Sequence, residues 1–384
     1  MRIGRSRLCV GLAAVVLWGA GSCLLSAQDG APQASYCPSA DARIGRITVE
    51  RIGVFESGAG ETARWIASGA KALHPRTREV VVRRELLFQT GDRCDNEALG
   101  QTERNLRALG FFRHVEILTQ PAGGRDVDVL VRVRDAFTLR LNAGYKREGG
   151  TDTWDAKVGE TNVAGLGFGL WLRRTRNFER GLSGIAFSDP RFLGTRERLA
   201  VAYDHRSDGH AIQMSLARPF HSVDARWSHD LLYSETRDRL RLYDGGAVTQ
   251  KWERRSIDAS IGAAVRLGAP TGNHAWRASV GYRYRTREYF DAMRPPVPDF
   301  GGQPTPRLLS GPFAGIRFVS HRYIERTGLV EPDRVLDLNL GVAADFSVMA
   351  AHRVRAFGTQ ALTVLSGGAS RGWHLPGGGV ALSS

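Results

Sequence analysis

The feature that most constrains this chain is a change of period near Ala136. Before it, Leu99, Leu106 and Leu109 share one stripe of a helix, and Val127, Val129, Val131 and Val133 share one side of a strand. After it, apolar and polar residues alternate at period two over most of the remaining sequence. Leu139, Leu141, Ala143 and Tyr145 oppose Arg140, Asn142, Gly144 and Lys146. The same rule returns in Leu166 to Arg173, Ile212 to Ala217, Ile257 to Leu267, Trp276 to Tyr284 and Leu336 to Val342. This pattern predicts an α+β unit running without a linker into an all-β antiparallel region.

In the second region one strand face is apolar and uncharged over roughly ten residues, enough for a tilted strand to cross hydrocarbon, while the other carries arginine and aspartate. A soluble β-sandwich also alternates, but its strands usually run about five or six residues and bury a common core. Length, together with Trp154, Tyr203, Tyr233, Tyr284 and Tyr289 near strand ends, favours a transmembrane β-barrel. An open edge in lipid leaves backbone groups unpaired, so such a sheet is expected to close. Downstream of the N-terminus no stretch of roughly twenty apolar residues offers a spanning helix.

Arg2, Arg5 and Arg7 precede an apolar run from Leu8 to Leu25 and small residues at Ser26 and Ala27. This reads as a signal peptide over residues 1–27, with an uncleaved anchor as the alternative. The net charge of +14 and pI near 10.3 do not indicate nucleic acid, because the arginines are scattered one per polar strand face. Cys9 and Cys23 fall in the leader, leaving Cys37 and Cys94. In an oxidising compartment they form either one disulfide or two independent buried thiols.

Within the α+β unit, assigned to residues 43–136 after an N-terminal segment at 28–42, a strand is predicted over Ile44 to Phe55 and an irregular insertion over Ser57 to Pro75. Helices are predicted over Thr77 to Gln89, ending at Gly91, and from an Asp95 cap to Leu109. Two strands close the unit, Phe112 to Thr119 and the valine strand. Its order, with Glu85 to Asp92, Asn105 to Phe112 and Val127 to Val133, resembles a POTRA domain of the BamA-like outer-membrane surface-antigen family. The insertion after Ser57 departs from that family's short connection.

Asp189 to Thr195, Ala217 to Phe220 and Gly159 to Gly167 resemble the same family's barrel repeats. The resemblance implies an inward lumen loop with an Arg-Gly-aromatic motif, to which Arg371, Gly372 and Trp373 correspond unless they form an incidental turn. It also implies about sixteen strands, against eleven to thirteen strand-like segments here, and a seam that opens sideways. The barrel, residues 137–384, is therefore expected to be truncated, with an unusually small complete barrel as the alternative.

No nucleophile elbow, zinc-binding helix, phosphate loop or paired-cysteine pattern is present. His205, His210, His221 and His229 lack ligand spacing and read as solvated loop residues, with a metal site as the rival. The expectation is a non-enzymatic outer-membrane protein with a periplasmic N-terminal domain and no cofactor or metal. Its expected partners are outer-membrane lipid, unfolded or secreted client polypeptides and accessory periplasmic proteins. A client would join the Phe112 to Thr119 edge by strand addition, with Phe112, Val115 and Ile117 either shaping that surface or packing the unit. A passive channel with a gating or anchoring domain is the alternative.

Overall fold

The computed structural model describes residues 36–54, 75–271, 273–291, 307–328, 334–355, 358–375 and 380–383. The signal peptide, nearly all of the insertion after Ser57 and the Gly377 to Gly379 run lie outside the described residues.

The N-terminal unit contains β1 (Arg43–Ile52), α1 (Glu79–Arg83), α2 (Asn96–Ala108), β2 (Phe112–Gly123) and β3 (Asp126–Asp135). Its sheet has the order β1-β3-β2, with β1 parallel and β2 antiparallel to β3. The valines of β3 bury one face, and Leu99 and Leu106 of α2 belong to the same core, as do Val82 and Phe111. Each such side chain contributes about 1.5–3 kcal/mol when it leaves water. The Asp95 carboxylate caps α2 by accepting the Glu97 amide at 2.9 Å, and Gly110, at φ +85°, reverses the chain beyond it.

The first helix is shorter than expected. Thr77 is withdrawn from it because its amide and hydroxyl both donate to Asp135, at 3.0 and 2.6 Å. At the other end, the Leu87 amide donates to Thr102 Oγ1 and the Gln89 amide to Asp92 Oδ2, so side chains take the partners that helix carbonyls would supply. Cys37 and Cys94 are joined by a disulfide with Cα atoms 5.9 Å apart, which clips the unit's entry to its core.

Among the described residues, the second region is a thirteen-stranded antiparallel sheet. Its first half comprises β4 (Leu139–Glu148), β5 (Thr151–Glu160), β6 (Gly169–Arg176), β7 (Gly181–Asp189), β8 (Arg198–Arg206) and β9 (Gly209–Arg218). The long strands β10 (Trp227–Asp244), β11 (Ala247–Thr271), β12 (His274–Asp291) and β13 (Arg307–Ser320) follow. A separate hairpin of β14 (Tyr323–Thr327) and β15 (Val335–Asn339) then intervenes. The sheet resumes with β16 (Val342–Arg355), β17 (Gly358–His374) and β18 (Val380–Ser383). Among the described residues, β4 and β18 form its two edges.

Two expectations are corrected. Leu336, Leu338 and Leu340 do not belong to a strand of the large sheet, because β15 pairs only with β14. Leu166 to Phe168 belong to a turn, and β6 starts at Gly169.

Register keeps the two faces of the sheet separate. From β6 to β12, Leu170, Phe187, Val201, Met214, Tyr233, Ala259 and Tyr284 are successive cross-strand partners, and none is charged. One residue along, the partners are Trp171, Ala186, Ala202, Gln213, Ser234, Asp258 and Arg285. That second row lines a cavity of about 740 Å³, which Phe187, Val201, Met214 and Tyr233 of the first row also border, and Arg285 pairs with Asp258 at 2.7 Å.

Candidate functional site

The site is built from two features of the N-terminal unit: a free strand edge and a face docked on the large sheet. The outer edge of β1 is occupied at its start, since Ile44 donates to the Asp92 carbonyl and Gly91 donates to the Ile44 carbonyl, both at 2.8 Å. The strand β2 pairs only with β3, so its other edge carries no ladder among the described residues. Phe112, Val115 and Ile117 lie in the core of the unit. They hold the strand in place, whereas Arg113, His114 and Gln120 are exposed along it. One end is pinned where Thr119 Oγ1 donates to the Tyr36 carbonyl. The Tyr36 hydroxyl in turn donates to Glu103 at 2.5 Å, and burial raises the pKa of both groups.

The docked face meets three structures at one end of the sheet. In the turn between β5 and β6, Asn162 Nδ2 donates to Thr77 Oγ1 at 2.7 Å and the Arg78 amide donates to the Gly165 carbonyl at 2.8 Å. Gly165 adopts φ +70°, and a Cβ there would collide with the Arg76 carbonyl oxygen, so only glycine permits this approach. In the turn between β7 and β8, Arg191 forms an ion pair with Glu85, which is wholly buried. On the hairpin, Asp337 and Glu325 accept from Arg107 at 2.7 and 2.8 Å, and Glu103 on its own helix accepts at 2.7 Å. Burial opposes the charge of Arg107, but its bonds to Asp337 and the surrounding carboxylates outweigh that cost and raise its pKa.

Arg371, Gly372 and Trp373 do not form the loop that the resemblance implied. They lie in β17, where Arg371 pairs with Val342 and Ser383, Gly372 with Leu382 and Trp373 with Ala381. Of the four histidines weighed as ligands, His229 pairs with Glu197 at 2.9 Å and His210 stacks on Tyr203. Among the described residues, no group of three or more His, Cys, Asp and Glu side chains is placed to hold a metal, and no helix is long and apolar enough to cross a membrane.

Glu85, Arg107, Arg191 and Asp337 had no individual role in the sequence reading. A carboxylate beside Leu86, Leu87 and Phe88 was the available signal, since a charge next to a buried run needs a partner.

No family model matches the chain. Over 133 residues, 34% of its length, it is 29% identical to the outer membrane protein assembly factor BamA of Neisseria meningitidis serogroup B (strain ATCC BAA-335 / MC58). The matched stretch spans 16% of that relative's length. Among solved structures, BamA from Haemophilus ducreyi lacking POTRA domains 1–3 aligns over 84% of each chain at 12% identity and a TM-score of 0.36. CdiB from Acinetobacter baumannii aligns over 89% of this chain and 61% of its own at 10% identity and a TM-score of 0.38. Both scores are too low to bear on fold or function.

Proposed function

We propose that the chain is an outer-membrane β-barrel protein of the assembly or translocation type. In this reading residues 43–136 form a POTRA-like periplasmic domain and residues 137–384 the membrane region. The observation that carries it is the pair of adjacent rows from β6 to β12, one without charge and one in which Gln213, Ser234, Asp258 and Arg285 bring polar and charged groups together. A lipid-facing and a water-facing surface need this division. On β12 the apolar face begins at Trp276 and ends at Tyr284, about 26 Å along the strand, with aromatic residues at both ends as in an interfacial girdle.

The client-binding step is supported by the free edge of β2. Backbone donors and acceptors there can take an extended polypeptide as a fourth strand with little demand on its side chains. Similarity over part of the chain to a protein named as an assembly factor favours polypeptide as the cargo.

Photo-crosslinking residues placed at Arg113, His114 and Gln120 on β2, and at Glu50 on β1, test this step. Crosslinks to an unfolded outer-membrane protein from β2 and not from β1 are expected. Their absence in a folded, membrane-inserted protein that conducts a steady current would overturn client binding and favour the passive channel.

A further inference from the structure

Between α2, the start of β8, the turn joining β9 to β10 and the β14–β15 hairpin lies a pocket of about 280 Å³. Its charged lining is unevenly neutralised. Arg107 is shared among Asp337, Glu325 and Glu103, and Arg104 bonds Glu97 at the rim while stacking over the Tyr323 ring. Arg198 is exposed to the pocket and forms no ion pair with a described residue. Two ring nitrogens of the lining, His221 Nδ1 and His321 Nε2, are buried without a protein partner, and Arg196 Nη1 and Arg218 Nε, whose charges act on His221 from outside the lining, are likewise unpartnered. The nearby carboxylate of Glu85 is engaged by Arg191 through one oxygen, and its Oε1 is left as an acceptor near Arg196 and Arg198.

Buried nitrogens without acceptors are costly, and an oxyanion is the ligand that offsets this cost at the guanidinium groups and, once they are protonated, at the imidazoles. The lining groups come from α2 (Arg104), the start of β8 (Arg198), the β9–β10 turn (His221) and the β13–β14 connection (His321). A carboxylate presents its lone pairs in one plane, whereas a tetrahedral oxyanion presents them in every direction.

We propose that this pocket binds a phosphoryl group, gripped by Arg198 and Arg104 with His221 and His321, and that the bound group ties the N-terminal unit to the sheet. The site requires only the docked geometry, not closure of the barrel. A free phosphate ester and a phospholipid headgroup share the chemistry it recognises.

Both histidines are held neutral near pH 7. Burial lowers His221 to about 4, with Arg196, Arg191 and Arg218 adding to the effect, and burial lowers His321 to about 4, with Arg277 and Arg104 adding. The Tyr323 hydroxyl faces the other ring nitrogen of His321 at 2.8 Å. A bound anion offsets the arginines and draws protons onto the rings, so binding tightens as pH falls.

The test is calorimetric titration of the full chain in detergent with inorganic sulfate, which keeps its double charge from about pH 5 to about pH 8, the range where histidine titrates. Saturable binding is expected, tighter at the lower pH and weakened about tenfold by Arg198→Gln. Arg198→Lys, which keeps the charge but loses the fork, should fall between the two, and each variant must retain the wild-type melting temperature in anion-free buffer. Glycerol 1-phosphate binding as tightly as phosphatidate bilayers would assign a soluble ester, and binding to those bilayers alone would assign a headgroup. Absence of saturable sulfate binding, or a folded Arg198→Gln protein that titrates like wild type, would overturn the proposal.

Discussion

Strands β3 and β12 follow the same alternation but treat their apolar faces in opposite ways. In β3 the valines at 127, 129, 131 and 133 are at most 1% exposed. In β12, Trp276 is 47%, Val280 62% and Tyr282 46% exposed. The residue pattern sets which side chains share a face in both cases. What differs is the cover: α2 lies over the first face, while no described element lies over the second. Alternation therefore specifies a face without specifying its solvent, and an uncovered apolar surface of this extent calls for a partner, here proposed to be lipid.

The comparison is broken most severely at the contact that holds the two regions together. Glu85→Ala leaves Arg191 buried without its counter-charge and should cost about 3–5 kcal/mol, measured as loss of a crosslink between the unit and the β7–β8 turn. Leu106→Ala opens a cavity beneath α2 and should cost about 2–5 kcal/mol in denaturant unfolding of the N-terminal unit. Val280→Arg should cost about 2–4 kcal/mol of membrane insertion, measured by folding into liposomes, whereas Ser279→Arg on the opposite face should insert like wild type.

A smaller effect is expected from pH. His221 and His321 have folded pKa values below their ordinary value of about 6.5. The stability linked to them is present above that value and is lost as pH falls towards about 4. Glu103 and Asp135 are raised by burial and have the opposite sign, their contribution being lost as pH rises through their folded values. The docking crosslink in anion-free buffer should therefore weaken between about pH 7 and about pH 5, and a His221→Gln, His321→Gln double variant should flatten that response. The smallest change is Glu79→Gln, which removes an exposed i,i+4 pair with Arg83 and should cost about 0.3–0.5 kcal/mol.

The parts of the fold that were legible in the sequence are those encoded by neighbours. The stripe of Leu99 and Leu106, the Asp95 cap and the valine strand each depend on spacings of a few residues, and each is present. The docked face was not legible, because Arg107 meets Glu325 and Asp337 more than two hundred residues away. Leu336 to Leu340 point to a strand of the large sheet in the sequence for the same reason. Alternation in Leu336 to Val342 is identical for a strand of the large sheet and for a small separate ladder, and only the partner distinguishes them.

Site-directed spin labelling tests the central claim most directly. Nitroxides at positions 279 and 280, which occupy opposite faces of β12, would be challenged with oxygen and with a water-soluble nickel chelate after reconstitution into bilayers. The expected result is that the label at 280 collides with oxygen and is shielded from nickel, while the label at 279 meets nickel. Nickel access at 280 equal to that at 279, in protein firmly associated with the bilayer, would contradict a lipid-facing sheet.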